Sequence, residues 1–204
     1  MGMYGTLRRV SPADAERLRT DPRLLEAFLF GEPPIVVEER MPGVLGFLLR
    51  LTPIKVRRTE PAPPSDDPLW PPPAPGEQLD LDKAWHGLHF LLTGTADGGA
   101  EPASFLLTGG EELGDDGEDV QARLLRPAQV RALAEHLAPL GADELTRRFD
   151  PERMTKLGIY PTVIWKRPEE TDAPRGFLLD AFTGLRDFVA DAAREDHAIV
   201  VCIS

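Results

Sequence analysis

The stretch LDLDKAWHGLHFLLTG, Leu79 to Gly94, decides how the rest of the chain is read. Leu81, Trp85, Leu88 and Leu92 recur at helical spacing, which predicts one helix with those four side chains facing a core. Asp80 or Asp82 at its start is the kind of residue that accepts from orphan backbone N–H groups. Gly94 stands where a left-handed residue closes a helix. On such a helix Asp82 and His86 are i, i+4 neighbours, and His86 and His89 are i, i+3 neighbours. One edge would then carry a carboxylate and two imidazoles. That edge supports either a proton-transfer or metal site, or a buried helix whose polar edge is satisfied by hydrogen bonds.

Trp85 and His86 are consecutive, so they point about 100° apart on a helix. With Trp85 in the core, His86 falls at the boundary of the buried face. There it is expected to line a cleft and make a side-chain hydrogen bond, within reach of Asp82 and of an aromatic from elsewhere, Tyr4, Tyr160 or Trp165. No tightly held metal is expected. Asp82, His86 and His89 supply at most three ligands from one helix, and i, i+3 histidines suit a closed zinc site poorly.

Working outward, several segments announce their own ends. Met3 to Val10 reads as a strand. Ser11, Pro12 and Asp14 form a helix start, with proline at the first helical position and a variant capping box. Pro22 opens a second helix with Leu24, Leu25, Phe28 and Leu29 on its apolar side and Gly31 at its stop. Val44 to Leu51 reads as a short amphipathic helix. Pro61 to Pro75 holds eight of the 21 prolines and is incompatible with a helix or a central strand. It predicts a semi-rigid surface connector at about 57–78, pinned by Trp70.

The acidic run from Glu111 to Asp119 reads as a solvated loop, since its spacing is not that of an EF-hand. Val120 to Leu125 reads as a strand, and Pro127 opens a helix with Val130, Leu133, Ala134 and Leu137 on one side. Ala142 to Phe149 reads as helical, and Asp150-Pro151 caps a further short helix. Arg175 to Glu195 is a long amphipathic helix and Ile199 to Ile203 a final strand. The fold class expected is α+β: a single domain, 1–204, with several helices packed around one small, mostly antiparallel sheet. The strands at Met3, Val120 and Ile199 should share that sheet, because none can satisfy its edges alone.

The net charge is −11, which disfavours nonspecific binding to nucleic acid or an anionic membrane. Cys202 is the only cysteine, so no disulfide framework or thiolate zinc site exists and a reducing compartment fits. No hydrophobic signal core precedes Ser11, and no apolar run is long enough to span a bilayer. A cytoplasmic location is expected. Nucleophile elbows, phosphate loops, dinucleotide fingerprints and zinc-protease motifs are absent.

Five segments together resemble the YfbM-like family of bacterial proteins, a domain family of unknown function. They are MGMYG with RVS (Met1 to Gly5, Arg9 to Ser11), LDKAWHGLHFLLTG (Leu81 to Gly94), SFLLTGGEEL (Ser104 to Leu113), RFDPERM with IYP (Arg148 to Met154, Ile159 to Pro161), and the final IVVCIS. The segment from Glu32 to Gln78 departs from the family by its length and its prolines. The resemblance implies a cytosolic α+β protein of one domain and carries no catalytic assignment. No cofactor is expected.

Two functions follow from these residues. The first is a binding or interaction module for a small molecule or a protein partner, with a cleft beside the central helix. Asp80, Asp82, Trp85, His86, His89, Tyr4, Tyr160 and Trp165 are its candidate site. The alternative is a hydrolase-like enzyme with His86 as base and Asp82 or Asp80 orienting it. The two differ in what surrounds His86. An enzyme needs a concave, partly wet pocket there, whereas a structural histidine is sealed with both ring nitrogens engaged.

Overall fold

A computed structural model describes residues 2–21, 24–30, 35–39, 56–60, 72–113, 121–166 and 172–204. The chain divides into two compact units, 23–72 and the remainder on either side of it.

The larger unit is built on a five-stranded, wholly antiparallel sheet. Its strands are β1 (Gly5–Val10), β4 (Gln78–Asp82), β5 (Glu111–Leu113), β6 (Gln121–Leu125) and β7 (Ala198–Ile203), in the order β4-β1-β7-β6-β5. The three strands expected to share a sheet therefore do so, and the last of them lies at its centre. Every residue of β7 is buried, as an apolar strand with pairing on both edges and packing on both faces should be. Leu7 sits opposite Leu79 on one side and Val201 on the other.

On one face lie α3 (Trp85–Thr93), α4 (Pro127–Leu137), α5 (Ala142–Arg148), α6 (Pro151–Lys156) and α7 (Asp172–Arg194). Another helix of this unit, α1 (Pro12–Thr20), starts as its residues dictate. Ser11 Oγ accepts from the Asp14 N–H and donates to the Asp14 carboxylate at 2.8 Å. Asp150 caps α6 in the same way, accepting from the Arg153 N–H at 2.9 Å. Along α7, Leu178, Phe182, Leu185, Phe188, Val189 and Ala192 form the buried stripe its periodicity predicts.

The smaller unit contains α2 (Leu25–Phe30), with Leu25, Ala27 and Phe28 buried, and the antiparallel pair β2 (Ile35–Glu39) and β3 (Val56–Glu60). β3 takes the first residues of the stretch expected to be a connector. Its Val56 and Thr59 suit a strand, and a partner strand pairs with it. The rest of the proline-rich run up to residue 71, with Trp70, and the helix expected over 44–51 lie outside the described residues.

Two further expectations are corrected. Glu111–Leu113 is not loop but β5, held to β6 by the ladder and by the ion pairs Arg123–Glu112 at 2.7 Å and Arg126–Glu111 at 2.5 Å. Leu79 to Gly94 is not one helix. Gln78–Asp82 is a strand paired with β1, and the helix begins only at Trp85. Leu81 reaches the core from that strand.

Gly87 sets how closely α3 and α7 approach. A Cβ there would lie 2.7 Å from Leu178 Cδ2 and 3.4 Å from the Trp165 ring. Gly87→Ala is expected to lower stability. Overpacking costs on the order of 1–3 kcal/mol, against a gain of up to about 1 kcal/mol in helix propensity. Urea unfolding measures the balance, and a variant more stable than the parent would show that Leu178 gives way.

Candidate functional site

The start of α3 carries a cluster of aromatic rings. Trp85, its first residue, is 5% exposed and stacks on His86 at 4.8 Å between centroids and on Tyr160 at 6.0 Å. The Trp85 Nε1–H donates to the Met3 carbonyl at 3.4 Å, and the Met3 N–H donates to the Tyr160 hydroxyl at 3.1 Å. Tyr4 is exposed at the rim, with the Lys83 ammonium 5.4 Å from its ring centroid. Trp85, His86 and Tyr160 are thus brought together, with Tyr4 beside them.

Other candidates fall elsewhere. Trp165 is a core residue whose indole N–H donates to the Ile159 carbonyl at 2.7 Å. Asp80 and Asp82 are exposed on β4, where the Asp80 carboxylate accepts from the Asp82 N–H at 2.7 Å. Asp82 takes a left-handed φ of 47° as the chain turns from strand to helix. Neither aspartate caps α3, whose N-cap is Ala84 without a side-chain hydrogen bond. The i, i+4 pairing of Asp82 with His86 therefore does not form, because the two residues do not share a helix.

His86 is half-buried and clamps two distant backbone groups. Nδ1 accepts from the Tyr160 N–H at 2.9 Å, which places the proton on Nε2, and Nε2–H donates to the Ala96 carbonyl at 2.9 Å. Burial lowers its pKa, although the Ala96 carbonyl and Asp97 act in the opposite direction. The expected hydrogen bonding is present. Both ring nitrogens are engaged by the backbone, the arrangement of a structural histidine, and neither cavity described below is lined by His86.

His89, one turn on, is fully buried, with its ring centroid 6.4 Å from that of His86. Burial, with His86 second, lowers its pKa to about 4. The Gly98 carbonyl and Asp97 favour its charged form, yet neither ring nitrogen closes a hydrogen bond of normal geometry. Among the described residues no group of three or more His, Cys, Asp or Glu is placed to hold a metal ion.

The other end of α3 opens onto a concave space. A cavity of ≈ 430 Å³ is lined by Phe90 to Gly94, by Arg147 and Arg148 at the end of α5, and by Asp150 and Arg153 at the start of α6. Gly94 ends α3 at a φ of 74°, as its position predicts. That turn leaves helix-end carbonyls without intrahelical donors, and two arginines reach them. Arg148 Nη1 donates to the Leu91 carbonyl at 3.2 Å, and Arg153 Nη2 donates to the Gly94 carbonyl at 2.8 Å. Arg153 also lies over the Phe90 ring, 5.6 Å from its centroid. Arg147 and Arg148 both bond Glu144 and hold its carboxyl below the usual range.

Each guanidinium has five N–H donors. Among the described residues, Arg148 uses Nε and Nη1, and Arg147 and Arg153 use only Nη2. The cleft is therefore rich in unspent cationic donors. Sequence reasoning missed these residues, although RRFD at 147–150 is a basic island in an acidic chain. A second, more apolar cavity of ≈ 220 Å³ lies between α4 and the loop at Pro102.

The sequence model of a family described as a domain of unknown function, DUF1877, matches residues 1–202, spanning both compact units. Protein YfbM of Escherichia coli (strain K12) is 29% identical over 129 residues, 62% of this chain and 77% of that protein. A crystal structure of YfbM from Escherichia coli, a protein of unknown function, matches with a TM-score of 0.62 at 20% identity. The match covers 98% of this chain and 99% of that one. The likeness shows the same α+β fold. No helix among the described residues is long and apolar enough to cross a membrane.

Proposed function

The chain belongs to the DUF1877 family, described as a domain of unknown function, and on that footing we propose that it is a cytoplasmic binding module that holds a small anionic molecule in the cleft at the end of α3. The observation that carries this reading is the convergence of Arg147, Arg148 and Arg153 on one ≈ 430 Å³ cavity. In a chain of net charge −11 the overall field repels anions. Three guanidiniums on one concavity oppose that field locally. Arg148 and Arg153 are preorganised by helix-end carbonyls, so less rotamer entropy is lost when they bind a planar anion.

Tyr4, Trp85, His86 and Tyr160 serve the module from a distance. Trp85, His86 and Tyr160 hold the start of the helix whose far end forms the cleft, with Tyr4 exposed beside them. Proton transfer by His86 finds no support in this geometry, because backbone groups occupy both of its nitrogens. The buried, unpaired thiol of Cys202 fits a reducing cytoplasm.

Thermal-shift and calorimetric titrations test the reading. Succinate and inorganic phosphate are expected to raise the melting temperature, and putrescine is not. The doubly substituted variant R147Q/R153Q is expected to bind succinate at least about tenfold more weakly. Raising sodium chloride should weaken binding to the parent protein as screening shortens. If neither anion binds, or if putrescine binds equally, the anion reading is wrong.

A further inference from the structure

The same cleft carries negative character on its helix side, and the two signs together specify more than an anion. Leu92 and Thr93, both in its lining, contribute the last carbonyls of α3, and neither carbonyl receives a donor among the described residues. The Thr93 hydroxyl donates to the His89 carbonyl at 2.7 Å and accepts from the Thr95 N–H at 3.2 Å. A helix C-terminus carries roughly half a negative charge. Asp150 adds a carboxylate. Its Oδ1 caps α6 through the Arg153 N–H, and Oδ2 accepts no hydrogen bond among the described residues.

We propose that the ligand is a primary amine carrying two anionic groups, an acidic amino acid by class. The inference rests on the anion reading and deepens it. A plain dianion would satisfy the guanidiniums but would place charge beside Asp150 and the α3 carbonyls. An ammonium group supplies the three donors those acceptors lack. The three guanidiniums outnumber Glu144, the one carboxylate that Arg147 and Arg148 already hold, by two, which matches two anionic groups. Cation and anion on one small molecule reproduce the division of sign in the cavity, and a ligand with only one of them leaves part of the lining desolvated and unpaired.

Calorimetry on the full chain compares L-glutamate with N-acetyl-L-glutamate, which lacks the ammonium, and with L-glutamine, which lacks the second anion. L-Glutamate is expected to bind at least about tenfold tighter than either, the scale of one lost charge-assisted hydrogen bond. The D150N variant is expected to lower L-glutamate affinity to that of N-acetyl-L-glutamate. Asparagine caps a helix as well as aspartate does, so α6 should stand, and circular dichroism checks it.

Equal binding of L-glutamate and its N-acetyl derivative by the parent protein overturns the ammonium. Equal binding of L-glutamate and L-glutamine overturns the second anion. In both cases the anion reading survives. Failure of both succinate and phosphate overturns the anion reading and this inference with it, and binding of succinate without binding of L-glutamate overturns this inference alone.

Discussion

Trp85→Ala is expected to destabilise the protein by about 3–5 kcal/mol, the range for removing a buried large aromatic. The residue stands where three separate parts of the chain meet. Its indole N–H bonds Met3, its ring packs on Tyr160, and its Cβ faces Gly5 so closely that a Cβ on that glycine would lie 2.6 Å away. Truncation to alanine leaves a cavity that these neighbours cannot fill without moving β1. In a chain of this size the loss corresponds to a fall in melting temperature of roughly 6–20 °C. Trp85→Phe keeps most of the apolar area and should cost clearly less. Urea unfolding of both variants measures this, and a loss below about 1 kcal/mol for alanine would show that the aromatic cluster is peripheral to stability.

Acid should weaken the fold as pH falls below 6.5, through His89. His89 has a folded pKa of about 4 against 6.5 for the free side chain. Between these values the unfolded chain holds a proton that the folded chain excludes, so stability rises with pH. The contribution is complete above the unfolded pKa and disappears as pH falls towards 4. Its full size is roughly 3 kcal/mol. His86 shifts in the same direction and adds to the effect. Glu16 and Glu144 have lowered pKa values, and their contribution is lost as pH falls below about 4.5, beneath the interval in which His89 acts. Urea midpoints between pH 7 and pH 5 should fall in the parent protein and fall much less in His89→Leu. Identical pH profiles would show that His89 takes up its proton equally in the folded and unfolded chains, with no lowered pKa.

The segments legible in the sequence are those governed by neighbours. Ser11 with Asp14, Asp150 with Arg153 and the left-handed Gly94 are local devices, and the structure realises each. Gln78–Asp82 was not legible because Leu81 fits both the period of two it shares with Leu79 and the helical spacing that runs on through Trp85 and Leu88. What decides is the pairing with β1, far away in sequence. The exposure of Asp80 and Asp82 follows from that strand, so the carboxylate–imidazole edge dissolves with the helix that was to carry it. The arginine cleft was hidden for a related reason. Arg148 meets Leu91, and Arg153 meets Gly94, across more than fifty residues of chain. No periodicity reports such a meeting.

The central position of β7 bears on how the protein is made. A ribosome delivers β1 first and then β4, its partner on one edge, and later the β5–β6 pair. Until Ala198–Ile203 emerges, the nascent chain holds two separate half-sheets, each offering an unpaired edge. Their union waits for the last strand, which closes against β1 and β6 together. Such a late, long-range step is slow and exposes the intermediate to pairing with other chains. Stalled chains ending before residue 198 should therefore be cut readily by protease within β1, and chains extended far enough past residue 204 to clear the exit tunnel should resist.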